Sequence, residues 1–191
     1  MFPLVILAGA IEVSTAIPYI IDIRKGKTRP AIVSWSTWLL LSAIAAAASF
    51  AEGATASGVI ASALVVECFM IILFSLRKGH FSYTRFDGFC QLGALLGIMA
   101  WYVTSDPLAA IITFVITDLI GAFPTFRHSW RRPLEETVYT FTLSILGNGL
   151  ALATIPDHSL VTTLVPLYLL TLNTALSGTI FLRRKRGIES I

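Results

Sequence analysis

The chain has 191 residues, of which 55% are hydrophobic and 13% are charged, whereas an ordinary soluble domain carries roughly 25% charged residues. This composition, with a mean hydropathy of +0.79, excludes a soluble globule, because too little polar surface is left to coat an apolar core. The presence of 13 Gly, 8 Pro and 2 Cys also excludes a collagen, a disordered tail and a disulfide scaffold.

Apolar segments of about 20 residues, the length that crosses a hydrocarbon core, follow one another along the chain. They predict an all-α polytopic membrane protein with short, charged or turn-forming connections. The first segment contains Glu12 and lacks the positive leading region of a signal peptide, so we interpret it as a span. The seven predicted spans are Phe2 to Ile23, Ala31 to Ala51, Thr55 to Leu76, Phe86 to Thr104, Pro107 to Phe126, Thr137 to Ile155 and Ser159 to Leu182.

The basic residues indicate how the bundle is oriented. All 14 Lys and Arg residues lie on the first, third and fifth connections and on the C-terminal tail, and cytoplasmic loops collect such residues. We therefore expect the N-terminus outside and the C-terminus in the cytoplasm, in a bacterial inner (plasma) membrane. The same clusters account for the net charge of +3 without a nucleic-acid partner.

The two halves of the sequence resemble each other. An offset of 106 residues aligns the ends of the halves, and an offset of 103 aligns their middles. The aligned pairs are Glu12 with Asp118, Pro18 with Pro124, Glu67 with Asn173, Pro30 with Pro133, Thr37 with Thr140 and Trp38 with Phe141. This repeat predicts a three-helix unit over residues 1–79, a linker helix over 80–105 and a second unit with a short basic tail over 106–191. A single linker helix makes the two units parallel.

Two proline motifs carry a family resemblance. Residues 18–27, Pro-Tyr-Ile-Ile-Asp-Ile-Arg-Lys-Gly-Lys, lead to Pro30, and residues 124–127, Pro-Thr-Phe-Arg, lead to Pro133. The chain resembles the PQ-loop and SWEET-like superfamily of seven-span transporters, with Tyr19 and Thr125 in place of the Gln that follows each proline. The resemblance implies a three-plus-one-plus-three bundle, alternating access, and hinges at Pro18 and Pro124, although a static kink explains these prolines equally well.

Three acids lie near the middle of predicted spans: Glu12, Glu67 and Asp118. An ionisable group at that depth costs roughly 2.5 to 3.5 kcal/mol or more, so it faces a bundle interior or a wet cavity and marks a substrate or proton pathway. The alternative is a protonated carboxyl that is hydrogen-bonded to a neighbouring helix. Because Glu12 and Asp118 occupy equivalent depths in the two halves, we predict that they form the proton-coupling pair.

Four further residues are candidates for substrate binding. Glu67 and Asn173 form the second equivalent pair, and in the resembled family this depth carries an Asn pair that holds substrate hydroxyls. Asn148, flanked by two glycines, and Trp38 are the other two candidates. Interhelical hydrogen bonds and close helix packing explain the same polar residues without a ligand.

The acids near the basic connections are expected to form ion pairs; these are Asp22, Asp87, Glu135 and Glu136. The three His residues lie on separate connections without metal-ligand spacing. No enzyme signature is present, and neither a metal nor another cofactor is expected.

The sequence thus predicts a transporter of a small solute, such as a sugar, an amino acid or another polar or cationic molecule. It would work by alternating access around a polar site at the bilayer midplane, and proton coupling and homo-oligomerisation stay open. The alternative is a non-transporting receptor or assembly protein of the same architecture. The expected partners are the solute and the lipid bilayer.

Overall fold

The computed structural model describes residues 2–51, 55–79, 81–103, 107–154 and 160–187. Those residues form seven α-helices and one 3-10 turn, with no β-strand among them. The helices are α1 (Phe2–Arg24), α2 (Ile32–Ala51), α3 (Thr55–Lys78), α4 (Arg85–Val103), α5 (Pro107–Arg131), α6 (Val138–Thr154) and α7 (Leu160–Lys185), and the 3-10 turn is Pro133–Glu135. The prediction of an all-helical fold is confirmed.

The helices end where the local backbone chemistry requires it, and these positions differ from the ends of the apolar segments. α5 continues five residues beyond the predicted end at Phe126, because no helix breaker appears before Pro133, which restricts the residue that precedes it. α1 ends at a glycine that suits its termination: Gly26 has a φ of +71°, a conformation in which other residues are strained. The last turn of α7 is basic, which favours the negative end of the helix dipole.

The surface of the bundle is apolar and much of its interior is polar. Large hydrophobic side chains are exposed, such as Phe89, Leu146 and Phe181 at 75%, 67% and 64%, whereas buried positions include Thr37 and Glu67. In the part of the chain that the structure describes, two helical stretches are long and apolar enough to cross a membrane, Gly58–Lys78 and Thr163–Lys185.

The helix contacts follow the same pattern in the first and last thirds of the chain. α3 packs against both α1 and α2, and α7 packs against both α5 and α6. We call α1, α2 and α3 the first set of helices and α5, α6 and α7 the second set. The two sets meet where α1 contacts α6 and where α2 contacts α5, and α4 packs against α2 and α5. The aromatic and aliphatic core lies where the two sets meet, and Tyr19, Trp35, Phe141 and Leu176 are among its members.

Three connections and the end of α7 lie together; we call this the basic end, comprising residues 24–31, 77–79, 81–84, 127–137 and 183–186. The Arg29 amide donates to the Glu135 carbonyl over 2.8 Å. The Ser82 amide donates to the Pro30 carbonyl over 2.8 Å, and the Arg184 guanidinium donates to the Pro133 carbonyl over 2.9 Å. Hydrogen bonds therefore join the two sets of helices at this end.

The closest approach of α2 to α5 occurs at a glycine. A Cβ atom built at Gly121 would lie 2.6 Å from Cγ2 of Thr37, a distance that real Cβ atoms do not reach. In the two-offset alignment, Gly121 corresponds to Thr15 and Thr37 to Thr140. The equivalent crossing of α1 and α6 is close as well, because the Thr140 hydroxyl donates to the Thr15 carbonyl over 3.1 Å.

We expect Gly121→Ala to destabilise the bundle by about 1 to 3 kcal/mol, because the added methyl group must push α2 away from α5. Gly147→Ala is the matched control, since a Cβ there meets nothing within 4 Å. Thermal unfolding of the purified variants in detergent provides the measurement. Equal melting temperatures for the two variants would contradict the close approach.

Candidate functional site

The first part of the site joins α1 to α3 through a buried carboxyl. Glu67 is only 4% exposed, and the Thr15 hydroxyl lies 2.6 Å from its Oε1 atom. The same hydroxyl lies 2.7 Å from the backbone carbonyl of Glu12. A hydroxyl carries one proton, so both contacts are satisfied when Thr15 donates to the carbonyl and a protonated Glu67 donates to Thr15. The geometry therefore fits a neutral Glu67.

The second part of the site surrounds the equivalent acid on α5. Asp118 is 4% exposed, and the Tyr168 hydroxyl of α7 donates to its Oδ2 atom over 2.7 Å. The indole of Trp38, on α2, lies near enough to interact electrostatically with the same carboxyl. Asp118 thus bonds to its own set of helices and lies near an aromatic side chain of the other.

Cys68 connects the two parts. Its buried thiol on α3 lies within electrostatic range of Glu67, Glu12 and Asp118, and Glu12 lies within the same range of Glu67. The three acids predicted from the sequence therefore lie within electrostatic range of one buried side chain, although α5 makes no contact with α1 or α3 in the described structure. We call Glu12, Glu67, Cys68 and Asp118, with Thr15, Trp38 and Tyr168, the acid cluster.

The acid cluster has no basic partner in the described ranges. None of its three carboxyls takes part in an ion pair there, and the Lys and Arg residues lie outside the apolar segments. Burying a charge without a partner is costly. The carboxyls are therefore stable either when they are protonated or when a cationic or hydrogen-bonding ligand is bound to them. The arrangement is therefore suited to exchanging protons or accepting a small polar solute.

The two candidate asparagines are not joined to the acid cluster by hydrogen bonds. The amide of Asn173 donates to the Leu169 carbonyl of its own helix over 2.8 Å. Asn148 does the same with the Ser144 carbonyl, also over 2.8 Å. Both side chains are partly buried.

The two candidate hinge prolines lie inside helices, Pro18 in α1 and Pro124 in α5. The Thr125 amide, directly after Pro124, donates to the Ser34 hydroxyl of α2 over 3.2 Å. The Thr15 carbonyl, one turn before Pro18, accepts the Thr140 hydroxyl of α6. Hydroxyls of the opposite set thus bond the backbone beside each proline.

A further buried carboxyl lies at the basic end and was not predicted as part of any site. Glu136 is 1% exposed, and the Tyr19 hydroxyl donates to its Oε2 atom over 2.6 Å. Burial raises the pKa of Glu136 from 4.5 to about 8, although the Tyr19 hydrogen bond and the Arg184 charge oppose that rise. The carboxyl is therefore largely protonated at neutral pH.

The expectation that the four acids near the basic connections form ion pairs holds for two of them. Asp87 lies 3.9 Å from Arg127, and Glu135 lies 3.1 Å from Arg132. It is wrong for Glu136, whose side chain points inward to Tyr19. It is also wrong for Asp22, which accepts the Thr137 hydroxyl over 3.0 Å and has no ion pair among the described residues. In both cases a hydroxyl of the opposite set lies closer than any cation.

Sequence reasoning missed Thr15, Cys68 and Tyr168 as members of the acid cluster. All three are ordinary residues in apolar helices, and only their distance to a carboxyl gives them a role. The spacing of Thr15 from Glu12, close to one helical turn, was the only available signal. Within the described residues, no three His, Cys, Asp or Glu side chains approach closely enough to hold a metal ion.

Comparison with family models, curated proteins and solved structures finds no match to this chain.

Proposed function

We propose that this protein is an integral membrane transporter for a small polar or cationic solute. The acid cluster carries the proposal, because carboxyls of α1, α3 and α5 lie within electrostatic range of the buried Cys68 and lack basic partners in the described residues. Ionisable groups inside a membrane bundle mark substrate or proton pathways by default. Packing alone does not explain why costly buried carboxyls are placed near one another.

The membrane location is supported by how polarity is distributed. Apolar side chains cover the outer surface of the helices and polar side chains fill much of the core, as expected when lipid is the solvent. A contiguous apolar exterior is rare on a soluble monomer. We propose that all seven helices span the membrane, with the basic end in the cytoplasm of a bacterial cell.

The proposed architecture is two parallel three-helix units joined by α4. The equivalent packing of α3 and α7 within their sets supports it, as do the equivalent crossings at Gly121 and Thr15. In transporters built from such repeats, the site lies at the interface between the units and access alternates as one unit rocks against the other. Glu12, Glu67 and Asp118 lie at this interface in our proposal.

Proton coupling follows from the protonation state that the cluster favours. A neutral Glu67 satisfies both short contacts of the Thr15 hydroxyl, and a carboxyl that is neutral when empty can lose its proton to water when a cation enters and pairs with the carboxylate. We therefore propose that Glu12, Glu67 and Asp118 release bound protons to water when the solute binds and take protons up again when it leaves. The candidate residues Trp38, Asn148 and Asn173 would contact the uncharged part of the solute.

Counterflow in proteoliposomes tests this function. Liposomes that contain the purified protein are loaded with an unlabelled sugar, amino acid or organic cation and diluted into labelled solute. A transporter produces a transient accumulation of label, and empty liposomes provide the control. Saturable binding without exchange would contradict transport and would favour a receptor of the same architecture.

A further inference from the structure

A cavity of about 310 Å³ opens at the basic end, outside the acid cluster. It is bounded by the connection that follows α1, the segment that precedes α4, and the last turns of α5 with the 3-10 turn. Arg29, Tyr83, Arg127 and Arg131 are among the side chains that line it. Its volume is at the lower limit for sites that hold small molecules.

The charges around this cavity do not balance. Four arginines and two carboxylates line it. Arg127 lies 3.9 Å from Asp87 and Arg132 lies 3.1 Å from Glu135, which leaves two arginines over. Among the residues that the structure describes, Arg29 and Arg131 have no ion-pair partner. The cavity therefore carries two uncompensated positive charges.

His128 adds an uncharged polar group to the cavity wall. Its side chain is 8% exposed, and its Nε2 atom lies 3.5 Å from Glu135 without a hydrogen bond in the described structure. Burial lowers the pKa of His128 to about 4, so the ring is neutral at pH 7. A neutral ring with an unused nitrogen can donate a hydrogen bond to an anion without adding charge.

We propose that this cavity binds a phosphate monoester group, carried by a soluble metabolite or by a lipid headgroup. Such a group has close to two negative charges at neutral pH, which matches the excess on Arg29 and Arg131. The planar guanidinium fork suits phosphate oxygens. Arginines in cytoplasmic loops also set topology, but that role needs neither a cavity nor a buried histidine with an unused nitrogen.

The bound group would connect the two sets of helices. Arg29 belongs to the connection between α1 and α2, and Arg131 is the last residue of α5. An anion held by both would neutralise their repulsion and hold the basic end together. Ligand binding of this kind stabilises the folded protein by mass action.

Thermal unfolding of the purified protein tests the proposal with two probes. Glycerol 3-phosphate is the soluble probe, with glycerol as its uncharged control, and phosphatidic acid in phosphatidylcholine nanodiscs is the lipid probe. We expect a saturable rise in melting temperature of about 5 °C at a hundredfold excess over Kd. A response to glycerol 3-phosphate identifies a soluble ligand, whereas a response to phosphatidic acid alone identifies a lipid headgroup.

The double variant Arg29→Gln with Arg131→Gln is expected to lose the shift. Arg77→Gln with Lys78→Gln is the matched control, because it removes two exposed positive charges outside the cavity lining, and it is expected to keep the shift. If the first variant does not fold, Arg131→Gln alone serves the same comparison. The proposal is overturned if neither probe stabilises the unmodified protein, or if both double variants respond as it does.

Discussion

Glu67→Gln is expected to slow solute counterflow by about tenfold or more, the loss that corresponds to removing about 1.4 kcal/mol of transition-state stabilisation. The amide has nearly the same volume as the carboxyl and can still donate to Thr15, so the contact between α1 and α3 is kept. It can neither release a proton nor become negatively charged. The variant should therefore fold normally and fail at exchange, as initial rates of label uptake would reveal.

Glu52→Gln is the matched control, since it makes the same chemical change at a position between α2 and α3 in the chain. We expect its exchange rate to equal that of the unmodified protein. If Glu67→Gln also exchanged solute at the unmodified rate, Glu67 would be a structural residue and the proposed mechanism would lose its central carboxyl.

Glu136→Gln is expected to flatten the pH dependence of stability. The pKa of this carboxyl is 4.5 when it is exposed in the unfolded chain and about 8 in the folded protein. Between these two pH values the unfolded chain releases the proton, whereas the folded protein keeps it. Raising the pH therefore favours unfolding across this interval, and the effect levels off above it. Each pKa unit corresponds to about 1.4 kcal/mol, so the contribution of Glu136 is expected to reach a few kcal/mol.

The measurement is the melting temperature in detergent at a series of pH values from 5 to 9. The Gln oxygen can still accept the Tyr19 hydrogen bond, so the variant isolates titration from packing. Glu135→Gln is the neighbouring control: its partly exposed ion pair with Arg132 is of a kind that contributes little, and its curve should follow that of the unmodified protein. An unchanged slope in Glu136→Gln would show that another group carries the pH dependence.

The positions of the helices could be predicted because each apolar segment has the length of a span and ends in charged or turn-forming residues. The end of α5 could not, because the segment from Arg127 to Arg131 is polar and yet contains no helix breaker. Hydropathy indicates where lipid contact stops, whereas the backbone stops only where a residue such as Pro133 prevents its continuation.

Individual acids were visible in the sequence, but their neighbours were not. Glu12, Glu67 and Asp118 stand out because charges are costly in apolar helices. Tyr168 carries no such signal, and only the packing of α7 brings it to a carboxyl. Glu136 was misinterpreted because the sequence shows it beside arginines, whereas the 3-10 turn directs its side chain away from them and toward α1.

The most direct test of the account is a double-mutant cycle on solute affinity between Glu67→Gln and Asp118→Asn. The two acids belong to different sets of helices and share a ligand only if the acid cluster is one site. We predict that the effects of the two substitutions are not additive, with an interaction free energy of about 0.5 kcal/mol or more. Losses that add to within about 0.3 kcal/mol would mean that the two acids act independently and would contradict a shared site.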